Sequence, residues 1–234
     1  STLTGSQNVA FGPNALNSIT SAVDNVGMGY RSGEAILGGT KNLCIGTLAG
    51  LVVSSGFSNV LLGYGTGAAI TTGFQNICIG TQAGVSMGSG ASANIFIGTQ
   101  AGQNNTGNDN TFIGHLSGQN TGSGATNTYI GQTAGRNTTG SRNVYLGAGN
   151  SPTVTESDAL RIETSTGTPL ISGDFSSNEV GINPLPASIA RAFHVTGEVR
   201  ITDLDTDTGT KVVLADADGD LDAVTPSDEF ALSG

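Results

Sequence analysis

The sequence is poor in the residues that most binding and catalytic sites require. Tryptophan is absent from the 234 residues, and only 11% of them are charged. Basic groups are the scarcest, with eight Lys and Arg against eighteen Asp and Glu, for a net charge of −10. Such a surface repels nucleic acid and anionic lipid, so neither is predicted as a partner. No apolar run approaches the roughly 20 residues of a membrane-spanning helix, and no membrane insertion is predicted.

Glycine, in contrast, is abundant, with 37 residues. Each glycine inside a helix would cost about 1 kcal/mol relative to alanine, which argues against helices. A five-residue unit, Asn followed by three mostly apolar residues and Gly, occurs nine times at spacings of 16 to 18 residues. Regular repetition at this period indicates stacked coils of a β-solenoid. The repeated asparagines, predicted to lie at corners of the coil, are Asn8, Asn25, Asn42, Asn59, Asn76, Asn94, Asn110, Asn127 and Asn143.

Two further positions repeat around this unit. Glycine occurs three residues before the asparagine in seven units and four residues after the closing glycine in seven. Glycine adopts backbone conformations that other residues resist, so these positions are expected to be corners. Nine coils about 4.8 Å apart would form a stack on the order of 40 Å long.

Alternation along the short strand predicts which side chains point inward. The third residue after asparagine is always apolar, and we expect it to line the coil interior. Alanines before the later glycine, such as Ala49 and Ala101, are expected to fill the opposite wall. The predicted interior row is Phe11, Met28, Ile45, Leu62, Ile79, Ile97, Ile113, Ile130 and Leu146.

The second residue after asparagine would then point outward. This row has no charged member and becomes aromatic toward its end, so as an exposed surface it would need covering. We interpret it as a ladder that is buried against other copies of the chain; cover by a segment of the same chain is the alternative. From the third coil onward its members are Cys44, Leu61, Cys78, Phe96, Phe112, Tyr129 and Tyr145.

No catalytic, cofactor or metal site is predicted from the remaining polar residues. Cys44 and Cys78 lie two coils apart, roughly 9 to 10 Å between Cα atoms, too far for a disulfide. His115 replaces a threonine of sister repeats, which indicates a surface loop, and His194 belongs to no recognisable motif. The Asp-rich segments 203–209 and 216–222 lack the glycine and glutamate of a helix-loop-helix calcium loop, which favours solvated turns.

Charge divides the chain near residue 150. Residues 1–150 carry four basic and three acidic groups, whereas the remainder carries four and fifteen. We therefore predict a β-roll domain over 1–150, a β-rich connector over 151–183, and an acidic C-terminal module with a β-hairpin over 184–234.

The repeats resemble those of a known class of proteins. The stretch "NIFIGTQAGQNNTGNDNTFIG", from Asn94 to Gly114, resembles repeats of phage tail-fibre proteins, and the coil is similar to the head β-roll of trimeric autotransporter adhesins. The segment from Pro169 to Leu204 resembles one that follows such repeats in tail fibres, often before a self-cleaving chaperone domain. Together the resemblance covers about residues 8–215. It implies a left-handed parallel β-roll and a side-by-side or intertwined homotrimer.

The resemblance also implies a function. We expect a non-catalytic fibre on a virion or at the cell surface that contacts other appendage or tail proteins and attaches to a glycan or protein receptor. A bacterial surface adhesin or a self-assembling extracellular filament is the alternative. A polysaccharide-cleaving tailspike is less favoured, since such chemistry needs paired carboxylates and the nine repeats hold only Asp24, Glu34 and Asp109.

Overall fold

The fold is a parallel β-solenoid of nine coils. A computed structural model describes residues 5–149, 155–163, 169–182, 212–215 and 221–224, and these residues contain strands and turns but no helix. Each repeat contributes one three-residue strand, and every strand pairs in parallel with the next. The strands are β1 (Val9–Phe11), β2 (Val26–Met28), β3 (Leu43–Ile45), β4 (Val60–Leu62), β5 (Ile77–Ile79), β6 (Ile95–Ile97), β7 (Thr111–Ile113), β8 (Thr128–Ile130) and β9 (Val144–Leu146).

The strands are short because left-handed backbone positions interrupt each coil. In the coil of β7, for example, Asp109, Leu116 and Gly118 have φ values of 59°, 59° and 56°, and the closing Gly114 has a φ of 134°. Glycine adopts such conformations without steric cost, whereas at the other positions the surrounding coil must hold the backbone in place. The glycines four residues after the closing glycine are left-handed, as predicted, and each coil also places non-glycine residues in that region. The glycines three residues before the asparagine have no positive φ and are instead closely packed, since a Cβ at Gly107 would clash with the Gly124 carbonyl.

The sheet continues past the predicted boundary at residue 150. Strand β10 (Ala159–Glu163) pairs in parallel with β9, which places Leu160 opposite Val144. Strands β11 (Pro169–Asp174) and β12 (Glu179–Ile182) then add in antiparallel order. The division of the chain at residue 150 remains a prediction based on composition.

A separate unit, residues 193–234, contains an antiparallel pair, β13 (Val212–Ala215) and β14 (Leu221–Val224). The acidic C-terminal module with a β-hairpin over 184–234 remains a prediction. The aspartate-rich stretch 203–209, His194 and most of 216–222 lie outside the described residues.

The core lies inside the coils and is built from the second strand residue, not the third. Cys44, Leu61, Phe96 and Phe112 have no exposed surface within the single chain. The predicted orientation of both rows is therefore wrong. The second-row residues from Cys44 to Tyr145 are at most 2% exposed and cannot form a ladder between chains.

The third-row residues point outward instead. Phe11 is 71% exposed, Ile130 41%, Met28 38% and Ile79 36%, and the other members of that row are partly buried. The reason is the buried asparagine at the start of each strand, since alternation from an inward residue turns the second strand residue inward and the first and third outward.

Opposite walls of the interior compensate each other in volume. Where the second strand residue is small, as at Gly27 and Cys78, the residue seven positions after the closing glycine is large, as at Ile36 and Met87. Where aromatic rings enter, that opposite row changes to smaller or polar residues. The row consists of Ile36, Val53, Ile70, Met87, Asn105, Thr121 and Thr138, all buried. The predicted burial of Ala49, Ala83, Ala101 and Ala134 is confirmed.

Candidate interaction surface

The outward face of the parallel sheet is an apolar surface that spans all nine coils. Its two rows are the first and third strand residues, and neither row contains a charged side chain. Nine strands of three residues cover roughly 40 Å by 10 Å, or about 400 Å². That area matches the largest apolar patch of a typical monomer, which is often functional. We call this surface the sheet face. Its first row is Val9, Val26, Leu43, Val60, Ile77, Ile95, Thr111, Thr128 and Val144.

A ladder of buried asparagines holds the strands of the sheet face in register. The Asn110 Oδ1 atom accepts hydrogen bonds from the backbone N–H of Asn127 at 3.0 Å and from its Nδ2 at 3.1 Å. The Asn110 Nδ2 atom in turn donates to the carbonyl of Gly124 at 2.9 Å. The same three bonds recur for each asparagine from Asn8 to Asn110, so each of these asparagines connects its own strand to the following turn. At the end of the ladder, the Nδ2 of Asn143 donates to the Glu156 carbonyl and not to Asn127.

The sequence predicts the asparagines at corners of the coil, but the left-handed backbone position there belongs to the residue before each of them. None has a positive φ; the residue before each one does, as Asp24 does before Asn25 and Arg142 before Asn143. From Asn25 to Asn143 they are at most 1% exposed. Their buried polar groups are paired, which is the condition for tolerating them in a core. The ladder ends at Ala159, whose N–H donates to Asn143 Oδ1 at 3.0 Å.

Aromatic rings stack beneath the sheet face in its C-terminal half. Successive centroids are 5.0 Å apart from Phe96 to Phe112, 4.9 Å to Tyr129 and 4.8 Å to Tyr145. The Arg161 guanidinium lies 5.8 Å from the Tyr145 centroid and forms an ion pair with Glu156. The stack is thus closed at this end by a paired cation.

The two cysteines are members of the core and not a reactive site. Both are free and fully buried, and the Cys78 thiol lies 3.6 Å from the Met87 sulfur. Burial raises the pKa of each thiol to about 12, so both stay protonated at neutral pH. Because only the thiolate is a good nucleophile and metal ligand, neither function is expected of them.

Ionisable groups elsewhere are isolated or paired. Glu34 pairs with Arg31, and Asp158 pairs with Arg142, which lowers the pKa of the Asp158 carboxyl. His115 is exposed in its turn, as predicted for a surface loop. Within the described ranges, no group of three or more His, Cys, Asp or Glu could hold a metal ion.

A second regular surface lies beyond the corner after β6, β7 and β8. Five and six residues after the closing glycine, two rows of outward amides align between coils. The Asn104 Nδ2 donates to Asn120 Oδ1 at 2.7 Å, and the Asn120 Nδ2 to Asn137 Oδ1 at 2.9 Å. Beside them, the Gln119 Oε1 accepts from Arg136 Nε at 2.8 Å, and Gln119 donates to Gln103 at 2.7 Å. We call these six residues the amide face.

Sequence reasoning missed both the interior asparagine ladder and the amide face. The sequence did contain a signal for the asparagine ladder. The same Asn precedes every strand, and alternation along a strand places it on the same face as the second strand residue. The amide face was visible only as a local enrichment in Asn and Gln, and its alignment depends on the stacking register.

No membrane-spanning helix is found in the part of the chain that the structure describes. Comparisons find no match to this chain among protein families, curated proteins or solved structures.

Proposed function

We propose that the chain is a non-catalytic structural fibre that assembles through its sheet face and attaches a virion or cell to a surface. The observation that carries the proposal is the outward orientation of two unbroken rows of mostly Val, Leu and Ile over nine coils. Apolar area of this extent is favourable to bury and promotes aggregation if it stays open.

A homotrimer is the assembly that fits this face best. Around a threefold axis each chain presents the same face, and the first row of one chain then meets the third row of the next. The two rows differ in bulk: β-branched Val and Thr are common in the first, while Ile and Leu dominate the third. Larger side chains of one row can therefore pack against smaller ones of the other. Left-handed winding of the coil, and a C-terminal hairpin module after the connector, complete the proposed fibre.

Rigidity supports the fibre role. Backbone hydrogen bonds join each coil to the next, and the Asn ladder adds three more per coil inside the chain. A stack in which every coil bonds only its neighbours forms a stiff element suited to projecting a binding surface.

The arrangement of the carboxylates supports the proposal that the chain is non-catalytic. Glycoside cleavage needs two carboxyl groups about 5 to 10 Å apart, one of them uncompensated enough to act as an acid. Glu34, Asp158 and Glu156 are each committed to an arginine. Burial raises the pKa of Glu163 at the end of β10; the charge of Arg161 opposes this rise, and the charge of Glu156 adds to it. Of these two carboxylates, Glu156 is held in an ion pair by Arg161.

Immuno-electron microscopy of the native source tests the proposal. Gold-labelled antibody against the chain should decorate slender projections on virions or on similar particles. Label on the bacterial envelope in the absence of particles would instead favour the adhesin or extracellular filament. Label confined to the cell interior, away from any projecting structure, would contradict both.

A further inference from the structure

The amide face is a built polar surface that the solenoid itself does not require. In coils three to five the same two positions hold Leu51 and Val52, Ala68 and Ala69, and Val85 and Ser86. Those coils stack with the same strand register as coils six to eight. Stacking thus tolerates aliphatic side chains here, and the amides of coils six to eight need another explanation.

Each amide in the middle of the face keeps hydrogen-bonding capacity after the ladder bonds are made. Asn120 gives one N–H to Asn137 and accepts once from Asn104, which leaves one N–H and one oxygen lone pair. Gln119 is used in the same way, with its remaining N–H and lone pair free. Since coils repeat about every 4.8 Å, the face presents alternating donors and acceptors at a fixed spacing.

Arg136 adds a cation at one end of this array. Its Nε is held by Gln119, which leaves the two terminal amino groups of the guanidinium available. Among the described residues, the ion pairs involve Arg31, Arg142 and Arg161, and Arg136 is in none of them. A guanidinium whose two terminal amino groups are free binds a carboxylate in a bidentate manner. Residues 1–150, which contain the amide face, hold four basic and three acidic groups, so the acidic excess that disfavours anionic partners lies after residue 150.

From these features we infer that the amide face binds a hydroxyl-rich glycan chain that carries carboxylates. Sugar hydroxyls both donate and accept, so they match the paired N–H and carbonyl groups of Asn120 and Gln119, and the sugar carboxylate pairs with Arg136. Ladder bonds already order the side chains, which lowers the entropy lost on binding. A repeating glycan can also contact successive coils, and several chains in one assembly would multiply weak contacts.

This inference rests on the proposed attachment function and specifies its receptor class and site. The sheet face and the amide face lie on different parts of the coil. The sheet face is formed by the strand before the closing glycine, and the amide face by residues five and six positions after that glycine. A change on the amide face should therefore leave assembly intact, and the two proposals can fail separately.

The test is binding of the whole chain to immobilised polygalacturonate, hyaluronan and polysialic acid, with neutral dextran as the comparison. We expect binding to at least one acidic glycan and little to dextran. Arg136→Gln, and separately the double change Gln119→Ala with Asn120→Ala, should each weaken that binding at least tenfold. Asn17→Ala, which removes an isolated exposed amide from the same row in the first coil, should leave binding unchanged.

Each variant is also checked for an unchanged circular dichroism spectrum and an unchanged assembly mass. A further variant, Arg136→Lys, keeps the charge but cannot bind a carboxylate in a bidentate manner, so it should retain binding only in part. The inference is overturned if no acidic glycan binds better than dextran. It is equally overturned if Arg136→Gln or the double amide change leaves binding as strong as in the unmodified chain.

Discussion

The rings of Phe96 and Phe112 stack face to face inside the coil, with their centroids 5.0 Å apart and their planes 7° from parallel. Direct pairing of β6 with β7 places these two residues opposite each other. Each ring is fully buried within its own chain. These two rings therefore stabilise the chain itself and are not available for contacts with another chain.

Phe112→Ala should destabilise the chain by about 3 to 5 kcal/mol, because it empties a fully buried site between two rings. Chemical denaturation followed by far-ultraviolet circular dichroism measures the change. Phe74→Ala is the matched control, since Phe74 stacks on Phe57 at 4.8 Å but is 37% exposed. It should cost clearly less. Equal losses for the two variants would contradict burial of the second row.

Alanine substitutions at two left-handed glycines of one coil distinguish the cost of backbone strain from the cost of a steric clash. Gly118 and Gly122 have φ values of 56° and 55°. A Cβ at Gly118 would collide with the Phe112 ring, whereas a Cβ at Gly122 would meet nothing within 4 Å. Gly122→Ala should cost about 1 kcal/mol of strain, and Gly118→Ala clearly more.

Combining Gly118→Ala with Phe112→Leu should recover part of that loss, because the smaller side chain vacates the space where the new methyl lies. The free energies of unfolding of the two single variants and the double variant form a cycle. Strict additivity would show that the ring and the glycine do not share this space.

Removal of one rung of the Asn ladder should be costly. Asn110→Ala leaves the N–H and Nδ2 of buried Asn127 without their acceptor and the Gly124 carbonyl without this donor. We expect a loss of about 2 to 4 kcal/mol, since each unpaired buried group costs about 1 to 3 kcal/mol. Asn120→Ala, in the exposed ladder, should change the free energy of unfolding by roughly 0.5 kcal/mol or less. Similar costs for both would argue against the interior ladder.

Alkaline pH should destabilise the fold. The pKa values of Cys44, Cys78 and Tyr145 are raised to about 12 by burial, and that of Tyr129 is raised for the same reason. A raised pKa in the folded state gives stability that is complete below the pKa of the unfolded group and is lost as pH rises above it. The free energy of unfolding should thus fall between about pH 9 and 12.

The same burial predicts the reactivity of the thiols. At pH 8, Ellman's reagent should label Cys44 and Cys78 only at the rate of unfolding, while a thiol introduced by Ser55→Cys on the exposed surface should react at once. Rapid labelling of the native chain would place the second row outside the coil, contrary to its position in the structure.

Much of the fold could be read from the repeat. Its period gave the number of coils, and the recurring glycines gave corners such as Gly118 and Gly135. The orientation of the strand could not be read correctly, because both faces are apolar and hydrophobicity alone does not distinguish them. The orientation is decided by the asparagine. Its side chain can be buried only because it forms hydrogen bonds to adjacent coils, as Asn127 does to Asn110 and to the Gly140 carbonyl. That pairing depends on the stacked structure.

The sheet face should tolerate charge in a single chain but not in an assembly. Ile79 is 36% exposed, so Ile79→Lys should leave the unfolding temperature of the isolated chain nearly unchanged. At an interface, however, three buried ammonium groups would oppose assembly. Thr81→Lys, on an exposed residue just beyond the closing glycine of the same coil, is the control and should assemble normally. Normal assembly of the Ile79→Lys variant would mean that the sheet face is not the contact.

The most direct test of the account is the mass of the unmodified chain in solution, measured by sedimentation equilibrium over a range of concentrations. Assembly through the sheet face predicts a species of three chains, each of 23.3 kDa. A single chain that stays monomeric at every concentration, with its Val and Ile rows open to water, would contradict the fibre.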